Sequence, residues 1–236
     1  VKFVQVDVTN WESQVKGLET SITASPHGRI DHFIANAGVG GHALTDHIET
    51  KRRKNLSLGE PRFGAIQVSL IGSYYLTCLA CHHWTSTSTL KALTPFPSGR
   101  RSLVIVGSMS SYISMPVGTD YAAAKFGVRG LWSAARETMH THKLDARINM
   151  VSPQFIATNL NKHMQKYYER SGHKFGSVDF AARAVVRMVG DSSVKGRSVT
   201  TTIESARDMD DDLSGKYGWT QIEKLIREDL VALYEY

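Results

Sequence analysis

The chain has 236 residues, carries 28 Lys and Arg against 22 Asp and Glu for a formal net charge of +6, and is 42% hydrophobic. That size and apolar content suit a single α/β domain over residues 1–236, and the mild positive charge favours anions such as a phosphate-bearing cofactor without indicating nucleic acid. Two cysteines are too few for a disulfide framework and fit a reducing, cytoplasmic compartment, and no apolar run approaches the roughly 18 residues of a membrane span.

Lys2 to Val6 (KFVQV) alternates and is rich in β-branched and aromatic residues, which predicts a strand. It runs into Asp7-Val8-Thr9. Thr9-Asn10-Trp11-Glu12 then matches the S/T-x-x-E capping box, and Trp11, Val15, Leu18 and Ile22 recur at helical spacing to about Ala24, where Pro26 and Gly28 stop the run. A second strand, Ile30 to Ala35, leads into the small, turn-forming Asn36-Ala37-Gly38. The carboxyl ends of strands are where open α/β sheets bind ligands.

Val39 to Arg62 reads as a polar, irregular segment whose short basic run at Lys51 to Lys54 is a solvated loop. Phe63 to Trp84 reads as a long buried helix, with Ile66, Leu70 and Tyr74 among its apolar positions. Cys78-Leu79-Ala80-Cys81-His82 spells C-x-x-C-H, the string that attaches c-type haem, but it sits inside an apolar helix. Core packing is the expectation, and no metal site is expected: zinc asks for four ligands and there is no second cysteine pair. Thr85 to Gly99, rich in Ser, Thr and Pro, reads as a loop.

Leu103 to Val106 is predicted to be a buried strand that delivers Ser108. Tyr121 and Lys125 follow at the start of an Ala-rich helix that continues towards His140. At i and i+4 they share one helix face. A nearby ammonium favours the phenolate, so the pair can exchange a proton nearer neutral pH than a lone phenol can, while a Ser hydroxyl orients the substrate oxygen. Ala146 to Val151 is the next predicted strand, followed by Ser152-Pro153-Gln154-Phe155-Ile156-Ala157-Thr158. Asn159 to His173 is expected to be a mobile substrate-side segment with Leu160, Met164, Tyr167 and Tyr168 as lining, Val178 to Val189 a helix opened by Ser177, and Arg197 to Ile203 a final strand. The acidic run Asp208 to Asp212 is expected in solvent, and the tail from Trp219 to Tyr236 is expected to be helical.

Ser108, thirteen residues before Tyr121-x-x-x-Lys125, resembles the signature of the short-chain dehydrogenases/reductases. The resemblance implies a Rossmann-like three-layer parallel sheet and an NAD(P)-dependent enzyme interconverting a secondary alcohol and a ketone. Tyr121 would be the acid/base, Lys125 the phenol-tuning and ribose-binding group, and Ser108 the orienter of the carbonyl. Ser69 stands where the family has an Asn that holds a water in the proton relay. Asp7 and Val8 match the segment beside the adenine, and Asn36, Ala37 and Gly38 the turn beside the cofactor. Pro153 and Thr158 match the P-G-x-x-x-T segment near the nicotinamide, with Gln154 in place of Gly, a change expected to reshape the turn. The Asp7-Val8-Thr9 start, the long polar insert and the segment Ser108-Met109-Ser110-Ser111-Tyr112-Ile113 resemble fungal relatives of NAD-dependent 15-hydroxyprostaglandin dehydrogenase. That likeness implies NAD or NADP, with NAD weakly favoured, a bulky lipophilic or aromatic small-molecule substrate, and a homodimer or homotetramer with neither nucleic acid nor membrane as partner.

The family's first two strands, and the Gly-rich pyrophosphate loop between the first strand and its helix, have no counterpart in the sequence, so the resemblance is to an N-terminally truncated member. In the family's sheet order those strands separate Lys2 to Val6 from Ile30 to Ala35 by three spacings, about 14 Å. Lys2 to Val6 is therefore expected to shift and pair beside Ile30 to Ala35, or to stay loosely ordered. The competing functional reading is a non-catalytic or degenerate member, or a fragment from an incomplete gene model, with impaired cofactor binding.

Overall fold

The computed structural model describes residues 1–44, 60–85, 96–113, 118–161, 170, 175–203 and 205–211. Helix α1 spans Trp11–Ala24; its N-cap is Asn10, whose side chain accepts from Ser13 N at 2.7 Å, one residue later than the expected Thr9. Strand β1 is His32–Ala35. The long helix after it holds a π-helical stretch, Ile66–Ile71, that passes into α2, Gly72–Thr85. Strand β2 (Ser102–Val106) leads through a 3-10 turn (Met109–Ser111) to α3, Thr119–Thr141. Strand β3 (Arg147–Pro153), helix α4 (Val178–Gly190) and strands β4 (Ser198–Thr201) and β5 (Ala206–Asp208) complete the described elements.

The strands lie in sequence order, β1-β2-β3-β4-β5. The first four are parallel and β5 runs antiparallel to β4. Alternate side chains of the central strands divide the core. Phe33, Ala35, Leu103, Ile105, Ile148 and Met150 face α1, α2 and α3, whereas Val104 and Val151 face Met188 of α4. Helices on both faces make this the expected Rossmann-like α/β sandwich of three layers, with the antiparallel β5 as an addition to the parallel sheet.

Two expectations are corrected here. Lys2 to Val6 forms no strand and does not pair with β1. A groove of about 470 Å³ lies between it and β1, lined from one side by Phe3, Val4 and Val6 and from the other by His32, Phe33 and Ile34. The segment is held instead by α1 and α2. Val6 packs on Gly17, Val8 packs on Gly72, and Gln14 Nε2 donates to the carbonyls of Val8 (2.6 Å) and Gly72 (3.0 Å). Alternation supplied a strand-like pattern, but these contacts hold Val6 and Val8 where no strand partner lies among the described residues, and Phe3 stays exposed.

The acidic run is in solvent only in part: Asp208 and Asp210 are exposed as expected, whereas Asp211 is drawn into an ion pair. Asp211 is paired in fork geometry with Arg129 (2.6 and 3.1 Å) and accepts from Tyr112 Oη at 3.0 Å, and Arg197 bonds Asp208 at 2.6 Å. These pairs tie the end of β5 to α3 and β4. Asp212, the tail from Trp219 and the candidate lining residues Met164, Tyr167 and Tyr168 lie outside the described residues, as do most of the polar insert and of the Ser/Thr/Pro loop.

Candidate active site

Three elements converge at the carboxyl end of the sheet. Strand β2 ends at Val106, Gly107 makes the exit, and Ser108 takes extended backbone as the N-cap of the 3-10 turn, its Oγ accepting from Ser110 N at 3.1 Å. Gly107 is needed there: a Cβ would lie 2.9 Å from Ser152 Oγ, 3.0 Å from Ser111 Oγ and 3.1 Å from Met150 Sδ. Sequence reading missed this residue, because its neighbours come from two separate segments. A Gly-Ser pair after a strand was its one local signal.

Ser108 stands close enough to Tyr121 for its hydroxyl to act on the phenol. Burial pushes the phenol's pKa up, and the Ser108 hydroxyl opposes that rise. Lys125 is 5% exposed, its Nζ lies 5.6 Å from the centre of the Tyr121 ring, and it donates to the Val106 carbonyl at 2.9 Å. Burial lowers its pKa to about 8. Ser108, Tyr121 and Lys125 are thus brought together, with a hydroxyl, a phenol and an ammonium of tuned basicity side by side.

Ser69 sits in the π-helical stretch, a feature frequent at functional sites. It is 1% exposed, and its Oγ has no hydrogen-bond partner among the described residues. A Cβ on Gly38 would stand 3.5 Å from that oxygen. The relay candidate therefore faces the Asn36-Ala37-Gly38 turn, which is exposed just beyond β1.

Val8, Asn36 and Ala37 line the same groove along β1, with Val68, the neighbour of Ser69. Asp7 lies outside that lining. It is exposed, and its Oδ1 accepts from both Thr9 N (2.9 Å) and Thr9 Oγ1 (2.7 Å), bonds that lower its pKa. Pro153 ends β3 opposite Thr201, and Gln154 N donates to Thr201 O at 2.8 Å. Gln154 does not have positive φ, so a side chain is accommodated there without the strain expected of a glycine position. Thr158 is exposed and its amide bonds Asn161 Oδ1 at 3.1 Å.

Cys78 and Cys81 are half-buried free thiols on α2, and burial raises the Cys81 pKa. His83 of the same helix is 1% exposed and accepts from Ile30 N at 3.0 Å. Among the described residues no helix is long and apolar enough to cross a membrane.

The family model for short chain dehydrogenase matches residues 1–169. The chain belongs to the short-chain dehydrogenase family. As a short-chain dehydrogenase it is an oxidoreductase of a family that uses NAD(P) and acts on small molecules. Relatives include a 5'-hydroxyaverantin dehydrogenase of Emericella nidulans, 28% identical over 95% of this chain and 76% of its own length. An NADP-dependent dehydrogenase of Cochliobolus lunatus is 28% identical over 83% of this chain and 70% of its own length. Among solved structures, a 4-hydroxyisoleucine dehydrogenase in complex with NADH and succinate superposes with a TM-score of 0.60 at 21% identity, covering 84% of this chain and 77% of that one.

Proposed function

We propose that this short-chain dehydrogenase interconverts a secondary alcohol and a ketone on a bulky lipophilic or aromatic molecule, with Tyr121 moving the proton. The observation that carries the reading is the convergence of Tyr121, the neighbouring Ser108 hydroxyl and the buried Lys125 at one strand end. Ser108 orients the substrate oxygen. Lys125, as a cation, favours the Tyr121 phenolate and reaches the cofactor's ribose, and Ser69 Oγ passes protons between this group and solvent. Two relatives named as 5'-hydroxyaverantin dehydrogenases act on a hydroxylated compound, which supports the alcohol side of the reaction.

The residues present fit the two ends of a nicotinamide dinucleotide. Val8, Asn36 and Ala37 offer a largely apolar groove for a base and ribose, next to the exposed Asp7, and Gly38, Pro153 and Thr158 would flank the nicotinamide end as the family resemblance implies. Lys2 is the single Lys or Arg among the described residues lining the groove, and burial keeps the pKa of His32 low, so the groove suits a base better than a diphosphate. When bound, the nicotinamide supplies or accepts the hydride. The resemblance to an NAD-dependent enzyme weakly favours NAD; several relatives are named as NADP-dependent, so both are carried into the test. A cytoplasmic homodimer or homotetramer, associating through the α2 and α3 faces that expose Tyr74 and Phe126, completes the reading.

Titration with NADH and NADPH, followed by nicotinamide fluorescence, tests cofactor dependence; no saturable change at millimolar cofactor supports the non-catalytic alternative. Given turnover, Tyr121→Phe is expected to lower kcat by about 10² to 10⁴-fold while cofactor affinity stays within about twofold. Retained activity would remove Tyr121 from its role.

A further inference from the structure

The segment that leaves the Asn36-Ala37-Gly38 turn is fastened to the start of α3 by one carboxylate. Asp120 Oδ1 accepts from the amide of Tyr121 at 2.9 Å and from the amide of His42 at 2.6 Å. The same junction is closed from the other side: Thr119 N donates to the His42 carbonyl at 2.8 Å, and Leu44 N donates to Thr119 Oγ1 at 3.3 Å. Gly41 fits into the seam. A Cβ there would press into Asp120 Oδ1 and lie 2.6 Å from Tyr121 Cβ and 2.8 Å from Tyr121 N.

Local helix chemistry explains half of this arrangement. The N-cap of α3, Gly118, has no side chain to satisfy the first amides, so an acid in the first turn takes over that task and meets the positive end of the helix dipole. It does not explain why the same oxygen reaches an amide 78 residues away in sequence. Nor does it explain the second oxygen, Oδ2, which is buried with no hydrogen-bond partner among the described residues and has His42 Nδ1 3.7 Å away.

We propose that Asp120 is a positioning residue that locks segment 39–44 to the helix carrying Tyr121, so that the turn at Asn36 to Gly38 and the phenol are held as one unit. The role rests on the acid/base reading of Tyr121, but the lock itself is a property of the fold. A charge-assisted bridge between two amides is stronger than a neutral one and allows little play between the segments it joins. The effect on the reaction is geometric: a shift of about 1 Å in a reacting group can cost about a hundredfold in rate.

The test compares Asp120→Ala, Asp120→Asn and Gly41→Ala by amide hydrogen exchange and by kinetics. Asn keeps a carbonyl oxygen for both amides; Ala removes it; Gly41→Ala forces the seam apart with Asp120 intact. Exchange in peptides covering residues 39–44 and 118–122 is expected to quicken about tenfold or more in Asp120→Ala and Gly41→Ala, to return towards wild type in Asp120→Asn, and to stay unchanged in β3. Turnover is expected to follow the same order, with kcat falling more than substrate KM rises. Unchanged exchange at 39–44, a uniform rise that includes β3, or no recovery in Asp120→Asn overturns the lock. A wild-type chain without turnover would count against the acid/base reading and leave the exchange result to decide the lock.

Discussion

Lys125 Nζ is tethered to the carbonyl of Val106 at 2.9 Å, so the ammonium beside Tyr121 is anchored to the strand that delivers Ser108. The tether sets the ammonium's position, and burial makes its charge costly. In the folded chain its pKa is about 8 against an ordinary 10.5. Between those values the unfolded chain holds the extra proton, so the Lys125 contribution to stability rises with pH across that window. Relative to Lys125→Met, the wild type is expected to gain up to about 3 kcal/mol from pH 8 to pH 10.5, read from urea unfolding at a series of pH values. A difference that stays flat over the window contradicts the buried charge.

Ser69 separates a relay from a packing role. Its Oγ is buried and unbonded among the described residues, so Ser69→Ala removes a polar atom whose burial is uncompensated. Stability is expected to stay within about 1 kcal/mol or to rise, while kcat falls about tenfold if the hydroxyl handles protons. Unfolding midpoint and kcat, measured together on the same preparation, give both answers. Unchanged kcat assigns Ser69 to packing.

Gly107 has room for hydrogen alone. The three atoms that a Cβ would meet belong to Ser152, Ser111 and Met150, all buried, so none can step aside into solvent. Gly107→Ala is expected to cost about 1 to 3 kcal/mol and to displace Ser108. Chemical denaturation measures the first, and a fall in kcat greater than that of a surface Gly190→Ala control measures the second; Gly190 has open space around it.

Arg147 closes the end of α4. Its guanidinium donates to the carbonyls of Met188 (2.9 Å), Asp191 (2.7 Å), Val194 (3.3 Å) and Val189 (3.0 Å), and the residue is 3% exposed. A cation at a helix C-terminus also meets the favourable end of the dipole. Arg147→Ala takes this donor from all four, although Val194 O keeps Asn149 Nδ2 at 3.0 Å and Asp191 O keeps Val194 N at 3.2 Å, and is expected to destabilise the fold by about 3 kcal/mol, seen as a lower urea midpoint. Loss within the range of ordinary surface changes would show that water replaces the guanidinium.

The strand-and-helix order was legible from local pattern. Apolar spacing located α1, the long helix before β2 and α3, and the run from Leu103 located β2. Ser108, Tyr121 and Lys125 were legible because their spacing encodes a shared helix face and a strand end. What escaped depends on partners distant in sequence. Lys2 to Val6 alternates like a strand but has no strand partner among the described residues, and the three residues of β5 are too few to show alternation at all. The charges of Asp208 to Asp211 read as hydrophilic until Arg129 and Arg197 are placed beside them. The Asp120 bridge was hidden for the same reason, since nothing near Asp120 points to His42.

The π-turn at Ile66–Ile71, where Gly72 N bonds back to Gln67 O, amounts to one residue more than an α-helix would use over the same rise. Each residue of an α-helix turns the chain by about 100°. Deleting a single residue here would restore i→i−4 bonding and leave the helix on either side in place, because the turn absorbs its extra residue locally; the residues inside it would rotate. Ser69 would then leave the face it shares with Gly38, although no residue of the turn itself had been replaced. Local helical phase, set by the count of residues within the turn, is thus part of the specification of the site.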